Sequence, residues 1–147
     1  MKDEVYKSLE TIKNTINKTY GFIGEIPSIN YGPCGAFANV FYDEWNKRFL
    51  EKVHICFIMT IDLKECDHIC IGLPSGDLYD GGIGIHPREH YKDFVIVDRM
   101  TYDYEELDKW AYGLDRVYPK YCPDFNKFFV QKVISVQLER LLTETNL

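Results

Sequence analysis

The stretch "HICIGLPSGDLYD", residues 68 to 80, decides how this chain folds. Apolar runs flank Pro74-Ser75-Gly76. That tripeptide reads as a three-residue hairpin loop: a type I turn with glycine at the left-handed position. Such a loop sets the register, with Leu73 facing Asp77 and therefore Cys70 facing Asp80. Side chains two apart on a strand share a face, so His68, Cys70 and Asp80 project from one side. His68 and Asp80 become diagonal neighbours, about 7–8 Å apart at the backbone, within reach for an imidazole to meet a carboxylate.

Working outward, "VHICFIMT" (53 to 60) is β-branched and of strand length, and "DFVIVDRM" (93 to 100) is a third strand region. Ahead of them, Val5, Leu9, Ile12 and Ile16 form one stripe of a helix that Gly21 ends. Residues 22 to 33 read as loop, broken by Pro27 and Pro33. A second helix is expected from Cys34 to Leu50, with Phe37, Val40, Phe41, Trp45 and Phe49 on its core side. Asp103 and Glu106 form a capping box for a short helix to Tyr112. Phe129, Val133, Val136 or Gln137, and Arg140 or Leu141 mark a closing helix from Asn126 to Thr143. No repeat or linker divides the chain, so residues 1–147 read as a single α+β domain.

Composition narrows the function. A chain of 147 residues with 46% apolar residues buries about 68–70% of its unfolded surface and holds a core without staples. A net charge of −6 and the absence of a basic run argue against nucleic acid, which needs a basic face to displace counterions. No apolar run approaches the ~20 residues that span a bilayer. "MKDEVYKSLETIKNTINKTY" is charged and amphipathic, unlike a signal peptide. A cytoplasmic protein is expected. Five cysteines are an odd number, which argues against a disulfide framework and leaves a thiol free to react.

Cys34 is the thiol placed for it. It follows Gly32-Pro33 at the start of the second helix, with Gly35 after it. A helix N-terminus lowers a thiol pKa, because its N–H groups and dipole favour negative charge. The N–H of Cys34 or Gly35 is a candidate oxyanion donor. A thiol nucleophile needs a base, and the hairpin supplies His68 with Asp80 to orient it. The structural alternatives are a small buried cysteine, a strand-end histidine and an aspartate that only makes the turn before Gly81-Gly82.

These residues resemble a family. "YGPCGAFANVF" is similar to the nucleophile segment of papain-like cysteine peptidases, with Gly32, Cys34, Ala36, Phe37 and Ala38 in matching places. "DHICIGLPSGDLYDGGIG" resembles the His-strand-turn-strand-Asp unit of small papain-like and NlpC/P60-like proteins of bacteria and phages. The resemblance covers residues 29 to 85 and keeps the order Cys, His, acid. It implies a papain-like core, with the nucleophile helix packed on a small antiparallel sheet. It implies a cysteine hydrolase or acyl transferase acting on a protein, peptide or small amide through Cys34, His68 and Asp80, with no cofactor. The chain departs from the pattern in two ways. Only 34 residues separate Cys34 from His68, which implies a stripped core. The papain oxyanion glutamine would fall on Ser28, leaving Asn30, Tyr31 and Gly35 as the oxyanion or substrate-binding candidates.

Competing readings come from other motifs. A non-catalytic binding module, or a phage or bacterial inhibitor on the same fold, would use the aromatic stretch 101 to 125. "HPREH" matches the H-x-x-E-H string of inverted zinc peptidases, with His86 and His90 as ligands and Glu89 as base, but that chemistry needs a helix. Cys66, His68 and Cys70 alternate near Cys56 and would line one strand face as a metal site, without zinc-ribbon spacing.

Overall fold

The computed structural model describes residues 2–21, 30, 33–99 and 125–145. Among these the chain forms three α-helices and a five-stranded sheet: α1 (Asp3–Thr19), α2 (Cys34–Asn46), β1 (His54–Met59), β2 (Cys66–Gly72), β3 (Leu78–Asp80), β4 (Gly84–His86), a 3₁₀ turn (Arg88–Tyr91), β5 (Val95–Arg99) and α3 (Lys127–Thr145). Every strand pairing is antiparallel, and the order across the sheet is β4-β3-β2-β1-β5. The class is α+β, as the element order implies.

The stripe Val5, Leu9, Ile12 and Ile16 of α1 is buried throughout, each large side chain contributing about 2 kcal/mol by leaving water. Acidic Asp3 and Glu4 in the first turn and Lys18 in the last complement the helix dipole. Tyr79 of β3 donates its hydroxyl to the Leu9 carbonyl (2.7 Å) and so ties α1 to the sheet. The rings of Phe37, Phe41 and Trp45 stack in sequence along α2, with centroids 6.2 and 5.9 Å apart, and Phe49 just past the helix end tilts against Trp45 at 4.4 Å. α2 ends at Asn46, one turn before Leu50, because the chain is turned back there. Trp45 Nε1–H donates to Glu51 O and Asn46 Nδ2–H to Val53 O.

α3 is rotated relative to the expected phase. Its fully buried residues are Val130, Ile134, Leu138 and Leu141, while Phe129 and Val133 flank them and Val136 is exposed. A helix with apolar residues on several sides leaves the choice of face to its neighbours, and α1 and α2 made it.

All three helices cover one side of the sheet, against Ile55, Phe57, Ile69, Ile71 and Tyr79. A smaller cluster, Cys56, Ile58, Cys70, Leu78 and Tyr91, lies on the other side. The segment after β4 crosses that second side to reach the far edge, laying Tyr91 and Phe94 over it. The 3₁₀ turn falls where "HPREH" reads as a short helical turn after the Gly-rich segment, whereas β4 carries no signal in the sequence. The expected helix from Asp103 to Tyr112 and the aromatic stretch, apart from Phe125, lie outside the described residues. Among the described residues no helix is long and apolar enough to cross a membrane.

Candidate active site

The hairpin turn closes in the expected register. Leu73 N–H donates to Asp77 O (2.9 Å), Gly76 N–H donates to Leu73 O (2.9 Å), and Gly76 takes φ +96°. Ile71 pairs with Tyr79 and Gly72 with Leu78, which carries Cys70 opposite Asp80. The diagonal contact is made: His68 Nε2 lies 2.8 Å from Asp80 Oδ2. Both residues are buried.

Asp80 serves two partners with its two oxygens. Oδ1 accepts N–H groups from Gly82 (3.0 Å), Ile83 (2.6 Å) and Gly84 (3.3 Å). Oδ2 is left for His68. The turn-forming role and the orienting role, which stood as alternatives in the sequence, are held by one carboxylate. Gly84 reaches its place in this turn with φ +87°, a conformation glycine adopts without a Cβ penalty.

Cys34 is the first residue of α2, and Pro33 before it offers no side-chain cap. The first backbone bond of the helix runs from Phe37 N–H to Pro33 O (2.9 Å), so the N–H groups of Cys34, Gly35 and Ala36 precede it. Cys34 is half-buried as a residue, and its thiol sits among the His68 ring and the Ile69 backbone N–H, both of which favour the thiolate. Because His68 Nε2 meets Asp80, the nitrogen turned to the sulfur is Nδ1. The three residues form a continuous chain, thiol to imidazole to carboxylate, drawn from one helix and two strands.

Electrostatics follow from that chain. Burial pushes the Cys34 thiol up, but the charge and hydrogen bond of His68 and the Ile69 N–H outweigh it, and the thiol falls below its ordinary value. Burial alone would depress His68; Cys34 and Asp80 instead raise it to about 10. Burial opposes ionisation of Asp80, yet the His68 hydrogen bond and charge bring it down to about 2. Each member of the pair thus favours the charged form of the other.

The remaining candidates divide. Gly35 is buried at the helix N-terminus. Asn30 packs its amide against Gly82 of the Asp80 turn, where a Cβ would come within 2.5 Å of it. Tyr31 lies outside the described residues. Two further residues, His86 and Tyr91, adjoin this site, and the sequence did not place either of them beside His68 and Asp80. His86 donates Nδ1–H to Gly84 O (2.8 Å) and accepts the Tyr91 hydroxyl at Nε2 (3.0 Å), and burial lowers its pKa. Tyr91 also tilts against the His68 ring, with centroids 6.1 Å apart.

Two metal readings meet a different geometry. "HPREH" spans the end of β4, Pro87 and a 3₁₀ turn, not an α-helix, and His86 spends both ring nitrogens on the protein. The Cys66–His68–Cys70 face is broken by a bulge: Ile58 pairs with His68 but Met59 with Cys66, leaving Asp67 extra. Cys66 therefore turns to the Met59 side, donating its thiol to His68 O (3.3 Å).

No family model, no curated protein and no solved structure matches the chain.

Proposed function

We propose that this chain is a small papain-like cysteine hydrolase or acyl transferase that acts on an amide, peptide or related acyl bond. The observation that carries the reading is the buried His68–Asp80 hydrogen bond (2.8 Å), with the Cys34 thiol in electrostatic reach of that imidazole from the N-terminus of α2. The Cys34 thiolate attacks the carbonyl carbon. Negative charge gathers on the carbonyl oxygen, and the N–H groups of Cys34 and Gly35 are the donors nearest the nucleophile. His68, holding the thiol proton on Nδ1, passes it to the leaving amine, and the thioester forms. Water then attacks with His68 as base, or an acceptor amine or alcohol does so in a transferase. Asp80 fixes the ring through Nε2–H and supports its cation.

The test is alkylation of the native chain with iodoacetamide from pH 4 to 9, mapped by mass spectrometry, in wild type and His68→Ala. Fast, selective labelling of Cys34 below pH 8 that His68→Ala slows supports the pair. Labelling of Cys34 like an ordinary thiol in both proteins overturns it and leaves a binding module as the better reading.

A further inference from the structure

The sheet side turned away from the helices carries a second cluster that shares no residue with Cys34, His68 and Asp80. His54 Nε2 lies 2.6 Å from Asp98 Oδ1, and Cys56 Sγ lies 3.2 Å from the same oxygen. The three ligand-type atoms all fall within 4.8 Å of one another. Pairing puts them there: Cys56 sits opposite Asp98 across β1 and β5, and His54 is two residues before Cys56 on the same face. The imidazole is seated on bare backbone. Gly72 pairs with His54, and a Cβ on Gly72 would lie 2.3 Å from the ring. Glycine is the residue that lets the ring lie flat there, aimed at Asp98.

We infer that His54, Cys56 and Asp98 form a binding site for a soft divalent cation of the zinc class. One imidazole nitrogen, one thiolate and one carboxylate oxygen are ligands zinc uses in tetrahedral sites, and the sulfur disfavours calcium and magnesium. Bond lengths of about 2.0–2.3 Å put tetrahedral ligands roughly 3.3–3.8 Å apart. Asp98 Oδ1 needs to draw back from His54 Nε2 and Cys56 Sγ by about 1 Å or less to reach that spacing. On binding, the Cys56 thiol proton goes to solvent, and the thiolate and carboxylate balance the cation's two charges. Arg88 now holds both Asp98 oxygens, at 2.7 and 3.2 Å. It yields Oδ1 to the metal and keeps Oδ2, the outer partner that ligating carboxylates require. The thiol of Cys70, paired opposite Cys56 and in hydrogen-bond contact with it, donates to the ligating sulfur. Asp98 stands at the solvent edge, so the metal enters there and water takes the fourth position.

The test uses the full reduced chain carrying Cys34→Ser, so that metal cannot be held by the other thiol–imidazole cluster. Cobalt(II) is titrated first, then displaced by zinc. The expected result is one equivalent bound, with tetrahedral visible bands and thiolate-to-cobalt charge transfer. Asp98→Asn should weaken binding at least tenfold, Cys56→Ser should remove the charge-transfer band, and Gly72→Ala, which replaces no ligand but drives a methyl into the His54 ring, should weaken binding by displacing His54. X-ray absorption on the zinc form with all three ligands intact guards against variants that misfold: one sulfur near 2.3 Å and the rest nitrogen or oxygen near 2.0–2.1 Å are expected. No stoichiometric binding, or a zinc shell without sulfur, overturns the proposal. So does cobalt affinity within threefold of the parent in both Asp98→Asn and Cys56→Ser.

Discussion

Asp80 presents Oδ2 to His68 Nε2 at 2.8 Å while its Oδ1 is held by the N–H groups of residues 82 to 84. The orienting acid is thus pinned by the turn that follows it and cannot rotate away from the imidazole. Asp80→Asn separates the two duties. The amide oxygen can still accept the turn N–H groups, but the amide nitrogen donates to Nε2 and forces the proton onto Nδ1, facing the sulfur. The wrong tautomer and the lost charge should cut thioester formation by about 10²–10⁴-fold, with a smaller loss of stability than Asp80→Ala because the turn stays satisfied. Asp80→Ala should lose both activity and stability. Comparing Cys34 acylation rates and thermal unfolding of the two variants checks this.

The pH window of the thiol follows from the same pair. Cys34 is lowered and His68 is raised to about 10, so thiolate and imidazolium coexist between the lowered thiol pKa and about pH 10. Alkylation should rise once, below the ordinary thiol range, to a plateau that holds as pH increases further. In His68→Ala the opposing charge is gone while burial remains, so the rise should move above the ordinary thiol range. The rate–pH profile of Cys34 in the two proteins measures the shift directly.

Acid stability should report Asp80 as well. Its pKa falls from 3.8 to about 2 on folding. A group depressed in the folded state stabilises fully above its unfolded pKa and loses that contribution as pH falls through the folded value. The window here is therefore roughly pH 4 down to pH 2, and the contribution at neutral pH is about 2 kcal/mol. Urea unfolding at pH 7 and pH 2.5 should give a drop in wild type that is smaller by about that amount in Asp80→Asn.

Most of this site was legible because it is local. The register of the hairpin comes from three residues, Pro74, Ser75 and Gly76, and two-residue alternation then places His68 and Asp80 without tertiary information. Cys34 needed only a helix boundary. What was not legible depends on long-range pairing. The bulge at Asp67, which sends Cys66 to the opposite side, exists because β1 and β2 pair on either side of it. Asp98 reaches His54 because β5 adds beside β1 after crossing the sheet, and no spacing in the sequence encodes that crossing. The face of α3 was misassigned for a similar reason. Phe129 and Val133 are as apolar as Val130 and Ile134, and only the packing of α1 and α2 distinguishes them.

Arg48 clamps α2 to α3. It reaches Glu44 Oε1 on its own helix side (3.1 Å), Ser135 Oγ (2.8 Å) and Glu139 Oε1 (2.7 Å) on α3. Glu44 is buried and also accepts Gln131 (3.3 Å). Arg48→Ala removes donors from a buried carboxylate, which costs more than the bonds themselves contribute. A loss of about 1–2 kcal/mol in chemical unfolding is expected, because Lys47 still pairs with Glu44 Oε2 at 2.6 Å and the carboxylate keeps one cationic partner.

Gly82 makes a sharper case for how Asp80 is held. Its N–H donates to Asp80 Oδ1 at 3.0 Å, and its Cα lies against the Asn30 amide, where an added Cβ would stand 2.5 Å from Cγ. Gly82→Ala therefore has to displace either Asn30 or the turn. If the turn yields, Asp80 loosens from His68. Acylation should then fall about tenfold or more, while the fold, whose core is remote, loses about 1–2 kcal/mol. Removing the obstacle should undo this: Asn30→Gly with Gly82→Ala should be more active than Gly82→Ala alone. The double-mutant cycle should return a coupling of about 1 kcal/mol or more, as expected for residues in contact. Additive effects would mean that Asn30 moves freely aside and that the Asp80 turn does not depend on the close approach at Gly82.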